Sequence, residues 1–278
     1  MENQYLIKTI DECDAVISLN PEDADTYCTR GNAYEELGQF ERAVEDFDEA
    51  IRLDPNDAIA YVYRGLVYWC DLGQVGWCIK DLDEAIRLNP DDAVVYYFRG
   101  HAYKDLNRYE QAIEDFDKAI RLDPNDAIAY VVRGNAYKEL GQFERSIQDY
   151  NEAIRLNPDD ADAYCFRGNA YRELGQFERG IQDYDEAIRL NPEDTDIYCT
   201  RGFAYCCNLG QYELGINDFD EAIRLKPNYA DAYCHIGFAY KMQGKKVNAI
   251  ANFKKCIGLT DKPPLIKTAR QQIEELSK

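Results

Sequence analysis

Between Ala127 and Asp160 the apolar positions change phase once. Tyr130, Val131, Gly134, Tyr137 and Leu140 recur at helical spacing and share one face, which predicts a first helix, A. After Gly141 a second periodic run, Phe143, Ile147, Tyr150, Ala153, Ile154 and Leu156, predicts a second helix, B. Asn157-Pro158 ends it, because the residue before a proline is pushed out of the helical region. The interrupting glycine recurs as Gly38, Gly73, Gly175, Gly210 and Gly244, with Asn107 in its place once. Glycine and asparagine tolerate the left-handed backbone that follows a helix end. The unit is a helix–turn–helix hairpin.

Close copies of this unit run through the chain. Prolines stand at Pro21, Pro55, Pro90, Pro124, Pro158, Pro192 and Pro227, at intervals of 34 or 35 residues. A fixed period of this length marks stacked helical units. The copies are 24–57, 58–92, 93–126, 127–160, 161–194, 195–229 and 230–263, and together they predict one elongated all-α domain over 1–278. Leu6, Ile7, Ile10, Val16 and Ile17 align with helix B of a copy whose helix A is missing. After Pro263-Pro264 the stripe Ile266, Ala269, Ile273 and Leu276 predicts a capping helix over 264–277.

Two columns fix how the helices meet. Numbering positions from the start of each copy, position 8 is glycine throughout (Gly31, Gly65, Gly100, Gly134, Gly168, Gly202, Gly237). Position 20 is always small: Ala43, Cys78, Ala112, Ser146, Gly180, Gly215, Ala249. Small residues at both let two helix axes approach closely, while the bulky side chains at positions 4, 11 and 24 fill the space beside them. With the alanine at 27 and the proline at 32, these columns resemble the tetratricopeptide repeat family. The resemblance covers nearly the whole chain. It implies a right-handed superhelical solenoid whose A helices line a concave groove, with a partner's protein or peptide segment as the ligand.

Position 7 departs from the usual family leucine. It is arginine in six copies, and position 23 is aspartate in the same six: Arg30 and Asp46, Arg64 and Asp81, Arg99 and Asp115, Arg133 and Asp149, Arg167 and Asp183, Arg201 and Asp218. In the seventh copy both change together, to Ile236 and Asn252. The covariation within one chain predicts an ion pair joining helix A to helix B of the same hairpin. The second and sixth copies carry one extra residue each, in YWCDLG and YCCNLG, which predicts a widened A–B turn.

Charge narrows the partners. The net charge is −20, yet residues 241–278 hold nine basic against three acidic residues, so that the other 240 residues carry −26. Such a field repels nucleic acid. It favours a basic partner, or head-to-tail self-association through the +6 end, which is the alternative function: a self-assembling scaffold. No apolar run is long enough to span a membrane, and no secretory leader is evident, so ten cysteines point to a reducing, cytoplasmic setting.

The chemistry of an enzyme is missing from the sequence. It has three serines, two histidines, no CxxC pair and no glycine-rich phosphate loop after a strand, so neither a catalytic nucleophile, a metal nor a cofactor is expected. The residues expected to bind a partner segment come from the resemblance, in which helix A positions 2, 5, 9, 12 and 13 contact the ligand. They give an apolar cluster, Ile59, Val62, Leu66, Trp69, Val94 and Tyr97, and a row of asparagines, Asn32, Asn135 and Asn169. A polar stripe of His101, Lys104, Lys138 and Arg172 completes the set. Position 5 is Cys, Val or Tyr, so the basic clamp that some family members use for chaperone tails is absent.

Overall fold

The computed structural model describes residues 2–278, and among them every regular element is helical. Two compact units are distinguished, one running to Gly141 and the other Gln142–Lys278.

The first unit holds α1 (Glu2–Leu19), α2 (Ala24–Glu36), α3 (Phe40–Leu53), α4 (Ala58–Leu66), α5 (Val75–Leu88), α6 (Ala93–Asp105), α7 (Tyr109–Leu122) and α8 (Ala127–Glu139). Each helix packs on the next in sequence. The second holds α9 (Phe143–Leu156), α10 (Ala161–Glu173), α11 (Phe177–Leu190), α12 (Thr195–Phe203), α13 (Tyr212–Leu225), α14 (Ala230–Met242), α15 (Lys246–Leu259) and α16 (Pro263–Ser277), again packed in order. The aspartates that precede the A helices act as N-caps: Asp23, Asp57, Asp92, Asp126, Asp160 and Asp194 each accept a hydrogen bond from the first helical turn. Part of the acid in the inter-repeat turns thus starts helices rather than facing solvent idly.

Close approach at position 8 is visible in the space around it. A methyl group on Gly100 would come within 2.6 Å of Phe116, and one on Gly237 within 2.7 Å of Phe253. The second copy is looser, since a methyl group on Gly65 would meet Asp81 at 3.2 Å. Asn107 takes the left-handed φ of 56° in the place of the turn glycine.

Three sequence expectations are corrected. The extra residue of the second and sixth copies does not widen the turn. It is absorbed inside helix A as a π-helical last turn, Val67–Asp71 and Ala204–Asn208. Leu72 N–H accordingly reaches back to Val67 C=O at 3.1 Å, and the left-handed glycine that follows keeps its conformation. On α1 the buried stripe is Leu6, Ile10, Cys13 and Ile17, which keeps the 3.6-residue period, while Ile7 and Val16 face outward. The cap begins at Pro263, and Leu265, Ala269, Ile273 and Leu276 close over Phe253, Cys234 and Cys256.

Candidate functional site

The arginines at position 7 set the spacing of the A helices. Arg99 Nε donates to Asp115 Oδ2 at 2.9 Å and Nη2 to Asp115 Oδ1 at 2.6 Å, a two-pronged bond from α6 to α7. Arg30 meets Asp46, Arg64 meets Asp81, Arg167 meets Asp183 and Arg201 meets Asp218 in the same geometry. The third nitrogen does something the sequence reading missed. It reaches position 25 of the preceding copy: Arg64 to Asp48, Arg99 to Asp83, Arg133 to Asp117, Arg167 to Asn151 and Arg201 to Asp185. Arg30 takes Asp14 of α1 in the same way. The signal was present as an acid two residues after the position-23 aspartate in five of the six copies, with Asn151 in the sixth. Burial pushes the carboxyls of Asp81, Asp115 and Asp218 above their usual range, against the pull of the arginines.

In the first unit the expected apolar cluster divides. Ile59, 60% exposed, lines a cavity of about 470 Å³ with Asp25, Cys28, Asn32, Asp57 and Tyr63. Val94, 55% exposed, lines another of about 280 Å³ with Tyr97, Phe98, Asp126 and Ile128. Val62, Leu66 and Trp69 are half-buried, and Val62 and Trp69 pack into the core between α5 and α6. The cause is distance along the helix: positions 2 and 12 are ten residues apart, roughly 15 Å of rise. Trp69 stands over Phe98 and His101 at 6.5 and 6.0 Å between ring centres, and its indole N–H donates to Asp105 Oδ2 at 2.8 Å. His101 also lies tilted against Tyr97 at 4.6 Å between ring centres, and burial brings its imidazole down to about 4. Among the other expected residues of this unit, Asn32 Oδ1 is buried without a hydrogen-bond partner. Lys138 pairs with its neighbour Glu139 at 3.3 Å, and Lys104 and Asn135 are half-buried.

Two further cavities lie in the second unit, where the sequence reading placed only Asn169 and Arg172. A cleft of about 600 Å³ runs between Arg172, Asp196, Cys199, Thr200, Tyr229 and His235. It shares Phe203 and His235 with an apolar pocket of about 470 Å³ that Cys206, Cys207, Phe238 and Met242 also line. Arg172 rests its guanidinium over the Phe203 ring at 5.7 Å and bonds Glu173 at 3.0 Å. The Tyr229 hydroxyl donates to Asp196 at 2.7 Å, and Asn169 accepts from Tyr184 at 3.0 Å. One end of this face therefore offers charge and hydrogen bonds, the other aromatic and thioether surface. Its sequence signal was the insertion of the sixth copy, which carries Cys206 and Cys207 into the pocket wall.

Nucleophilic chemistry is disfavoured at the cysteines along these faces. Burial pushes the thiols of Cys28, Cys165 and Cys199 up to about 12, so at neutral pH they are protonated. Cys234 is buried beneath α16 and does not line a groove. Among the described residues no group of three or more metal-ligating side chains forms, and no helix is long and apolar enough to cross a membrane.

Hairpins with close-packed glycines and a recessed A-helix face define an all-helical repeat of the kind that generally serves as a scaffold for protein interaction. The tetratricopeptide repeat profile matches residues 100–141, 134–171, 168–206 and 206–244, with further matches at 24–57 and 230–263. The chain belongs to the tetratricopeptide repeat family. Among curated proteins no relative matches. Among solved structures it is similar to MamA, at 26% identity over 61% of this chain and 92% of that one, with a TM-score of 0.55. It is similar to YrrB at 24% identity over 68% and 97% of the two chains, TM-score 0.54. The C-terminal part of a tetratricopeptide repeat protein from Cytophaga hutchinsonii superposes with a TM-score of 0.71 at 19% identity, covering 87% and 98%.

Proposed function

We propose that this protein is a non-catalytic adaptor that holds a segment of a partner protein against the A helices of its second unit, α10, α12 and α14. The observation that carries this reading is the pair of cavities, about 600 and 470 Å³, that share Phe203 and His235 in their walls, with Arg172, Asp196 and Thr200 lining one and Phe238 and Met242 the other. Micromolar binding requires about 8 kcal/mol. An exposed ion pair supplies only ~0.2–1 kcal/mol, so affinity has to come from the apolar end and orientation from the polar end. YrrB is described as a tetratricopeptide repeat protein with an unusual peptide-binding site, which agrees with this class of ligand. Ten free cysteines suit a cytoplasmic location.

The test is selection of peptides from a displayed library on the intact protein, followed by titration against two variants. Phe203→Asp should weaken the selected peptides at least tenfold, whereas Lys254→Glu on the exposed side of α15 should not. Equal binding to both variants would remove the A-helix face as the site. A second reading, self-association, is favoured by α1, which leaves Tyr5, Ile7, Val16 and Leu19 exposed. Light scattering that is independent of protein concentration and salt would exclude it.

A further inference from the structure

The two π-helical turns occupy equivalent places, and comparing them shows what the apolar pocket of the second unit is shaped to hold. Trp69 in the second copy corresponds to Cys206 in the sixth. The three residues that Trp69 touches on the following helix A, Phe98, His101 and Asp105, correspond to His235, Phe238 and Met242. All three of these line the 470 Å³ pocket. In the first unit, then, the chain fills this place with its own aromatic ring. In the second it leaves the place open.

The side chain at position 20 explains the difference. In the second copy it is Cys78, fully buried, and Trp69 lays its ring on Phe98 and His101 of α6. In the sixth it is Gly215, and Cys206 turns its sulfur into the vacant space, where a methyl group on Gly215 would lie within 2.2 Å of it. The sulfur thus packs inside the hairpin, and the nearest ring of the chain, Phe203, lies against His235 at 5.8 Å as a wall of the pocket beside the open space. Phe238 and His235 remain as aromatic walls, and Met242, 65% exposed, stands at the mouth.

We infer that this pocket takes one aromatic side chain of the bound partner segment, seated as Trp69 is seated in the first unit; the inference rests on the segment-binding function proposed above. Cavities of a few hundred Å³ with apolar walls suit such a group, and an aromatic ring buries on the order of 150–250 Å². The wall chemistry also sets a preference. Asp105 accepts the indole N–H of Trp69, but Met242 offers a thioether in its place, which favours contact with a carbon ring and supplies only a weak acceptor. A phenyl ring is therefore accepted at least as well as an indole.

Toluene and indole, titrated separately into the intact protein, test this without knowledge of the partner. Met242 and Met1 are the only methionines, so the Met242 methyl is a resolved reporter by NMR. Its resonance should move upfield and saturate, with dissociation constants on the order of 1 mM for ligands of this size. Cys206→Trp should fill the pocket, shifting the methyl before any ligand is added and weakening toluene at least tenfold. Met242→Asp, followed by calorimetry, should turn the preference severalfold toward indole. Trp69→Ala should open a second site and raise the stoichiometry from one to two while leaving the Met242 response unchanged. No saturable shift of Met242 in the wild-type protein up to the solubility of toluene would overturn the inference, whatever the variants do. A shift with no effect of Cys206→Trp would overturn it equally. The two proposals fail separately: peptides that bind in a Phe203-dependent way without any aromatic residue would sink the aromatic pocket alone. Toluene binding alongside peptides indifferent to Phe203→Asp would sink the segment-binding face alone.

Discussion

Replacing Arg99 by isoleucine and Asp115 by asparagine copies into the third copy what the seventh already has, Ile236 and Asn252. Asp115 is 4% exposed and receives two short bonds from Arg99, whose third bond goes to Asp83, a side chain 52% exposed. Arg99→Ile alone strands a buried carboxylate and should cost ~3–5 kcal/mol. Asp115→Asn alone keeps one acceptor for the guanidinium and should cost about 2 kcal/mol. The double variant should fall within about 1–2 kcal/mol of the wild type, because Ile236 is buried comfortably at 3% exposure and Asn252 turns to bond Asn248 C=O at 2.9 Å. Asp83→Asn should cost under ~1 kcal/mol, since Asn151 already serves Arg167 at 2.7 Å. Urea unfolding followed by circular dichroism and by the fluorescence of Trp69, which packs on α6, gives the four corners of the cycle. A coupling of at least about 2 kcal/mol is expected. Single effects that add within ~0.5 kcal/mol would refute the argument that the pair acts as one unit.

Burial holds His101 at about 4 and also lowers His235, so these two histidines bind fewer protons in the folded than in the unfolded protein between about pH 4 and the ordinary histidine value of about 6.5. Their contribution to stability rises with pH across that window, opposed by the raised carboxyls of Asp81, Asp115 and Asp218, and His101→Phe should make the slope of melting temperature against pH less positive than in the wild type. Gly100→Ala forces a methyl group against the Phe116 ring and should cost ~1–3 kcal/mol, more than Gly65→Ala, where the nearest atom stands 3.2 Å away. Comparing urea midpoints orders the two; a larger loss for Gly65→Ala would contradict the packing described. Removing 263–278 uncovers Phe253, Cys234 and Cys256 and should lower the melting temperature and raise binding of a hydrophobic dye. An unchanged melting curve would show that α16 covers nothing of consequence.

The period, the hairpins and the left-handed turns were legible in the sequence because each rests on a local cause repeated many times. A helix face, a glycine turn and a proline stop need no knowledge of the rest of the fold. The arginine–aspartate columns were legible too, since both change together at Ile236 and Asn252. Three features were not. The bond from Arg99 to Asp83 joins a helix to its neighbour's exposed face, where many acids compete for notice. The π turns look the same in sequence as a longer loop, because one inserted residue does not say whether the helix or the turn absorbs it. The apolar pocket escaped because it is defined by what is missing: Gly215 lets Cys206 turn inward, and no count of hydrophobic residues registers an empty place.

The third nitrogen of each position-7 arginine has a consequence for how such a chain changes length. Asp48 now meets Arg64, and the same Arg64 holds Asp81. Were residues 58–92 excised in one piece, Asp48 would face Arg99, which brings its own Asp115 with it, and the new junction would carry the same three bonds as the old. A gain of one whole unit works the same way. The ladder thus acts as a standard coupling, indifferent to which two units it joins, so duplication and loss within this stretch leave no unmatched charge at the seam. The seventh copy lacks that coupling. Ile236 stands where the next arginine would be, so position 7 of that copy offers Asp220 no guanidinium and the ladder goes no further.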